Sequence, residues 1–185
     1  MLLKAGITRR RVSLYASPVL FAPKKDWKFR LCIDYHCLNH QTLWDCFETP
    51  VASNLIARTQ GARIFSKLDL QSGFHQLRIR EGDPHKIAFT TPGTAGAQYK
   101  WVSCPFRLTN TPSSFQGIMN HILFDHITAN YCEVYYNDML IYTETDDPAE
   151  HMTKLTAFLY TLREQELLIK GWVRWFPVIA LGGGA

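Results

Sequence analysis

The chain has no run approaching the roughly 18 apolar residues a membrane helix needs, so no spanning segment is expected. It has no internal repeat, no sustained heptad pattern and no collagen-like period, which argues against solenoids, coiled coils and fibres. Cysteine is sparse. Cys32, Cys37, Cys46, Cys104 and Cys132 are odd in number and scattered, with no C-x-x-C pair, so neither a disulfide framework nor a cysteine-paired metal site is expected. Reduced, partly buried thiols in an intracellular protein are the expectation. The basic start, MLLKAGITRRR, is followed by no apolar stretch or small-residue cleavage site, so it does not read as a secretory signal.

What is present suits one globular domain, or one domain of a larger protein. The 185 residues are 46% hydrophobic, 13% aromatic and 19% charged, which excludes disorder as the main state. The net charge of +4 is unevenly spread. Residues 1–40 hold eight Lys/Arg against two Asp, and the remainder is slightly acidic. The early cluster is Lys4, Arg9, Arg10, Arg11, Lys24, Lys25, Lys28 and Arg30, interleaved with Tyr15, Phe21, Trp27 and Phe29. Cations neutralise phosphates and aromatic faces stack on bases, which points to nucleic acid. A solvated basic edge explains the same charges equally well.

The residue pattern predicts alternating strands and helices. Residues 1–16 read as a helix or loose lead-in. SPVLFAPKKD and FRLCIDY read as a hairpin about Lys25-Asp26. Weak helix is expected over 44–60, starting after Pro50. ARIFSKLDL reads as a strand with Phe65, Lys67 and Asp69 on one face. HQLRI, KIAFTT and YKWVSC are further strand candidates. Thr111-Pro112 starts a helix whose buried stripe is expected to be Phe115, Ile118, Met119, Ile122 and Leu123. EVYYNDMLIYT reads as two strands about Asn137-Asp138. Asp147 caps a last helix, with Glu150 placed for a capping box and Met152, Leu155, Leu159 and Leu162 as its buried stripe. His121 and His126 read as polar surface. After LREQELLIK the helical period stops, and GWVRWFPVIALGGGA has no evident partner element. The order argues for an α+β fold, an antiparallel sheet with helices on one face.

Two carboxylates stand at strand ends. Asp69 precedes the turn Gln71-Ser72-Gly73, and Asp138 sits in the second hairpin beside Tyr135, Tyr136 and Met139. Carboxylates from neighbouring strands can hold hard divalent ions, and two such ions can clamp both oxygens of a phosphoryl transfer. Taken alone, two distant Asp residues are better explained as turn formers.

Five blocks in order change that balance: SPVLFAPKKD, FRLCIDYHCLN, FSKLDLQSGFHQLRI, CPFRLTNTPSSFQ and VYYNDMLIYT. Together they resemble the reverse transcriptase of gypsy-type long-terminal-repeat retrotransposons and related retroviruses. The resemblance runs from about Leu3 to Lys170. It implies a right-hand polymerase fingers and palm over 1–170, with fingers mainly 1–60 and 75–105 and palm mainly 61–74 and 106–170. Residues 171–185 stand outside it as a divergent tail, without a thumb or ribonuclease H region. The implied function is RNA-directed DNA polymerase, joining deoxynucleoside triphosphates (dNTPs) to a primer 3′-OH on an RNA or DNA template. Two Mg²⁺ ions, or Mn²⁺ in their place, are the implied cofactors. The implied setting is a larger polyprotein with ribonuclease H and integrase, in the cytoplasm, a virus-like particle or the nucleus, with no membrane partner.

The resemblance also assigns roles. Asp69 and Asp138 are catalytic metal ligands, and the Leu70 carbonyl helps hold the nucleotide-bound metal. Phe74 matches the aromatic steric gate against a ribose 2′-OH. Lys24 or Lys25 and Arg30 match the grip on the incoming triphosphate, and Phe106 opens the segment against the nascent base pair. Three positions depart from the family. Asn137 stands where the block Tyr-x-Asp-Asp has its first Asp, which removes one charge facing the metals. Arg107 replaces a Gly after Phe106, and His36 replaces an Arg. These departures support an alternative, a catalytically dead nucleic-acid-binding relic of a decayed element.

Overall fold

The computed structural model describes residues 3–23, 29–45, 47–48, 50–93, 96–171 and 174–177. In chain order the elements are β1 (Thr8–Arg10), β2 (Ser17–Pro23), β3 (Phe29–Ile33), α1 (His36–Gln41), α2 (Ala52–Arg58), β4 (Ile64–Asp69), α3 (Gly73–Gln76), β5 (Phe89–Thr90), β6 (Gln98–Trp101), α4 (Thr111–Ile122), α5 (Phe124–Thr128), β7 (Cys132–Tyr135), β8 (Asp138–Thr143), α6 (Pro148–Glu164) and β9 (Arg174–Pro177). They divide into two compact units. One is Met1–Asp45 with Phe74–Thr111, the other Cys46–Gly73 with Pro112–Ala185.

The first unit is built on a five-stranded sheet in the order β1-β6-β5-β2-β3. All pairings are antiparallel except β2 with β5. Its core gathers Val19, Ile33, Tyr35, Ile87, Phe89 and Trp101. The alternation in SPVLFAP and FRLCI explains the β2–β3 ladder, which pairs Val19 with Ile33 and Phe21 with Leu31. The turn between these strands lies outside the described residues. Two expectations need correction. Residues 8–10 of the lead-in are a strand, because pairing with β6 satisfies their backbone groups. HQLRI is no strand: Phe74, His75 and Gln76 lie in α3, and only Arg78 makes an isolated bridge, to Ser103.

The second unit carries a wholly antiparallel four-stranded sheet in the order β7-β8-β4-β9. One face is apolar and buried, through Ile64, Leu68, Val134, Met139 and Ile141. Helix α6 packs on β8 and β4, and α5 on β7. Period-2 alternation puts Phe65, Lys67 and Asp69 on the opposite face, as the strand pattern predicts. The tail is corrected too: Arg174–Pro177 pairs with β4, from Ile64↔Pro177 to Lys67↔Arg174, so this part has a partner element.

Both long helices bury a polar residue that a hydrophobic stripe cannot reveal. In α4 Phe115 and Met119 are buried, and Leu123 just beyond it, but Ile118 is exposed and Gln116 is fully buried. In α6 the buried residues are His151, Leu155, Phe158 and Leu162, while Met152 is exposed. His151 is held between two strand hydroxyls, Ser66 Oγ at 2.7 Å from Nε2 and Thr143 Oγ1 at 3.1 Å from Nδ1. Asp147 caps α6 by accepting from the Ala149 N–H, whereas Glu150 accepts from Thr145 and pairs with Lys154 in place of closing a capping box. His126 is buried as well, against the surface position expected, and bonds to Tyr131 OH and Thr161 Oγ1.

Burial holds His151 and His126 below the ordinary histidine range, and His75 likewise. The unfolded chain therefore binds protons at these sites before the folded chain does. Their contribution is complete above the unfolded value of about 6.5 and is lost as pH falls below it. The melting temperature is expected to drop steadily between about pH 7 and pH 5. A chain more stable at the acid end would show these imidazoles to be folded as cations.

Candidate active site

The β7–β8 hairpin and the end of β4 meet at a pair of carboxylates. Asp69, last in β4, is the register partner of Asp138, first in β8. The next backbone bond continues the join, with the Leu70 N–H donating to the Asn137 carbonyl at 3.0 Å. Both carboxylates are partly solvent-exposed, and each faces a lysine. Lys67 Nζ is 2.8 Å from Asp138 Oδ1, and Lys170 Nζ is 3.6 Å from Asp69 Oδ2. Lys170 is brought there by main-chain bonds: its N–H donates to the Asp69 carbonyl and the Gln71 N–H to the Leu168 carbonyl. Exposed pairs of this kind contribute little stability and yield readily to a stronger charge.

The hairpin turn is tight. Tyr135 pairs with Asp138, leaving Tyr136-Asn137 as a two-residue loop with Tyr136 at φ +52°. A bulky residue in that region is strained. Gln116 restrains it from α4: its Oε1 accepts the Tyr136 N–H at 2.7 Å. Its Nε2 donates to the Val134 carbonyl at 3.0 Å and to Asn120 Oδ1 at 2.8 Å. The motif PSSFQ contains Gln116, but a lone polar residue in a helix gives no sign that it anchors a distant turn.

Asn137 turns into a close contact with Gly73. A Cβ at Gly73 would collide with Asn137 Oδ1 and lie 3.1 Å from Phe115 Cζ. That oxygen is buried without a hydrogen-bond partner. On the exposed side of the sheet, a cleft of about 220 Å³ opens beside Asp138, walled by Leu55 and Ile56 of α2, Lys67, Glu133 and Leu140. Glu133 is buried and its carboxyl is held above the usual range, by burial first, with Arg58 opposing at 3.7 Å.

The first unit holds the other assigned residues that can be described. Phe74 and Phe106 meet edge to face with ring centroids 5.3 Å apart. His75 lies against both Trp101 and Phe106 and shares a hydrogen bond with the Cys104 carbonyl. Arg107 has φ +75°. Asn39 pins this turn, donating from Nδ2 to the Arg107 carbonyl at 2.8 Å and accepting the Thr109 N–H at 3.0 Å. A left-handed backbone costs a β-carbon residue about 1–2 kcal/mol, so Arg107→Gly is expected to stabilise the chain by about 1 kcal/mol in urea denaturation. A destabilised Arg107→Gly chain would mean the arginine side chain contributes more than its backbone strain costs. Lys24 and Lys25 lie outside the described residues, and of Arg30 only the backbone, in β3, is described.

Among the described residues no group of three His, Cys, Asp or Glu side chains converges. The donor pair at the adjoining ends of β4 and β8 is nonetheless hard oxygen, two carboxylates in register. That fits one divalent ion of the Mg²⁺ type. It is one charge short of the set the resemblance implies for two ions, because Asn137 is neutral.

An antiparallel sheet backed by helices, with paired carboxylates at two strand ends, is the arrangement the resemblance implies for a polymerase palm. The family described as "Reverse transcriptase (RNA-dependent DNA polymerase)" matches residues 22–171, and the chain belongs to that family. It is 34% identical over 167 residues to the transposon Tf2-3 polyprotein of Schizosaccharomyces pombe, covering 90% of this chain and 12% of that polyprotein. It superimposes with a TM-score of 0.81 on the foamy viral protease-reverse transcriptase dRH in complex with double-stranded DNA, at 25% identity over 91% of this chain and 28% of that one. A TM-score of 0.77 relates it to the prototype foamy virus protease-reverse transcriptase CSH mutant, again at 25% identity, over 91% of this chain and 22% of that one. The fold is that of reverse transcriptase fingers and palm, and the chain is a reverse transcriptase domain of the retrotransposon polyprotein type. The family generally uses divalent metal ions. No helix among the described residues is long and apolar enough to cross a membrane.

Proposed function

We propose that this domain descends from an RNA-directed DNA polymerase that adds dNTPs to a primer 3′-OH, and that its native form is impaired at the metal-binding step. The unit Met1–Asp45 with Phe74–Thr111 is read as fingers, and Cys46–Gly73 with Pro112–Ala185 as palm. The observation that carries the reading is the Asp69↔Asp138 register pair at the adjoining ends of β4 and β8. Asp69, Asp138 and the Leu70 carbonyl would hold a Mg²⁺ ion, which when bound neutralises charge developing on the transferred phosphoryl group. Lys67 and Lys170 must release the carboxylates for that ion to enter. Phe74, braced by Phe106, is read as the ring that excludes a 2′-hydroxyl. Lys24, Lys25 and Arg30 are read as the triphosphate grip, a role suited to their charge. A primed RNA or DNA template is the partner, which the double-stranded DNA bound by the foamy viral enzyme supports. The natural setting is a longer polyprotein, of which the chain spans 12% in its Tf2 relatives.

The second reading, a non-catalytic nucleic-acid binder, is favoured by two observations: the neutral Asn137 and the strained Arg107 in a glycine position. Primer extension on an RNA template with Mg²⁺ separates the two. Extension by Asn137→Asp that disappears in Asn137→Asp/Asp69→Asn supports the polymerase reading. Absence of extension in every form, with the chain folded and bound to primer–template, leaves the binder.

A further inference from the structure

Helix α1 carries two imidazoles one turn apart on its solvent side, His36 and His40. Contacts fix which side faces inward. Tyr35, at the N-cap, is buried and donates its hydroxyl hydrogen to the Ile87 carbonyl at 2.9 Å. Leu38 packs against the core of the first unit. Asn39 donates to the Arg107 carbonyl and accepts the Thr109 N–H. With Leu38 and Asn39 turned inward, the helical period turns His36, Cys37 and His40 outward, and all three are exposed. His36 and His40 stand at i and i+4, where Cβ atoms are about 5–6 Å apart. Two imidazoles at that spacing can close on one divalent transition ion, as histidine pairs on a helix do for zinc.

One ring is already oriented. Asp34 Oδ1 accepts the His36 N–H at 3.1 Å and lies 2.5 Å from His36 Nδ1. A carboxylate at Nδ1 keeps the proton of the neutral ring there and leaves the Nε2 lone pair for a metal. Asp34 is itself held in place, its N–H donating to the Pro18 carbonyl at 2.9 Å. The His36 side chain is 90% exposed, so an ion can reach Nε2 from solvent. Imidazole suits Zn²⁺, Cu²⁺ and Ni²⁺, whereas Mg²⁺ prefers oxygen.

We propose that His36 and His40 form a surface site for a divalent transition ion of the Zn²⁺ type, with Asp34 as a positioning residue and water completing the shell. The resemblance implies an arginine at position 36, which cannot ligate, so the pair is a feature of this chain's own residues. The site lies within the first unit and is chemically unlike the carboxylate pair Asp69 and Asp138. An ion bound by folded α1 and not by the unfolded chain stabilises that unit by mass action.

The test is titration of Zn²⁺ into the folded chain in competition with a chromophoric chelator, with and without excess Mg²⁺. Losing an outer-shell partner of a metal ligand costs roughly 10–100-fold in affinity, and losing the ligand costs more. His36→Arg and His40→Gln are therefore each expected to weaken Zn²⁺ binding by more than about tenfold. Asp34→Asn, which keeps an acceptor for the His36 N–H, is expected to weaken it by about tenfold while leaving the metal-free melt unchanged. Cys37→Ser, and His121→Gln, which removes an exposed imidazole from α4, leave the affinity unchanged. Zn²⁺ is also expected to raise the melting temperature of the native chain and not that of His36→Arg/His40→Gln. Affinity unmoved by either histidine variant overturns the inference, as does an equal loss in His121→Gln. Binding lost in Cys37→Ser alone overturns it in favour of a thiol adduct. Displacement of the bound ion by Mg²⁺ overturns it in favour of a carboxylate site.

Discussion

Asn137→Asp is expected to raise Mg²⁺-dependent extension of a DNA primer on RNA by at least about a hundredfold over the native chain. The argument is a charge count. Asp69 and Asp138 bring two negative charges, and Lys67 and Lys170 bring two positive charges to the same oxygens. A divalent ion therefore meets a site with no net charge of its own. One further carboxylate about 4 Å away is worth roughly 4 kcal/mol per unit charge at an effective dielectric of 20, before salt screening. Even half of that is more than a factor of ten in binding one ion. The site must assemble a second ion too, so the effect compounds. A second readout follows from burial. The Asn137 oxygen already lacks a hydrogen-bond donor, and a carboxylate in its place raises the cost of the metal-free fold. Asn137→Asp should then melt lower than the native chain without metal and gain more from added Mg²⁺. Equal activity in the two chains would show that the neutral amide suffices, and the impairment argument would be wrong.

The second large effect is expected at Gln116. Two of its three hydrogen bonds tie α4 to the hairpin, at Val134 of β7 and at Tyr136 in the turn, and the third stays within α4 at Asn120. Gln116→Leu preserves volume and helix propensity but leaves the Tyr136 N–H and the Val134 carbonyl without their partner. Each orphaned buried group costs about 1–3 kcal/mol, so a loss of about 2–4 kcal/mol in chemical denaturation is expected. The turn should also relax, because Tyr136 is held at positive φ by that bond. In the Asn137→Asp background, Gln116→Leu should abolish most of the regained extension at temperatures where the chain remains folded. If stability falls and extension per folded molecule does not, Gln116 supports the core alone and does not position the acid pair.

These two residues also mark how far the sequence reaches. Asn137 is legible because it interrupts a block of otherwise matching residues. Gln116 is not, because its role is set by a strand eighteen residues away. The same limit explains the helix stripes. Met152 is the apolar candidate in α6, yet His151 is inside, because Ser66 and Thr143 supply partners that make a neutral imidazole acceptable in the core. A hydrophobic pattern counts methylenes and cannot see a hydroxyl on another strand. The lead-in fails for a related reason: three residues, Thr8–Arg10, are a strand only because β6 lies alongside.

The sequence by itself determined the α+β order, the two faces of β4, the cap at Asp147 and the family. Those are local periodicities, local caps and linear words, and they survive without knowledge of neighbours. Only the tertiary structure decided that Asp69 opposes Asp138, that two lysines neutralise them, and that residues 174–177 extend the sheet. Each of these depends on the register between segments far apart in the chain. A slip of one residue would send every side chain to the other face.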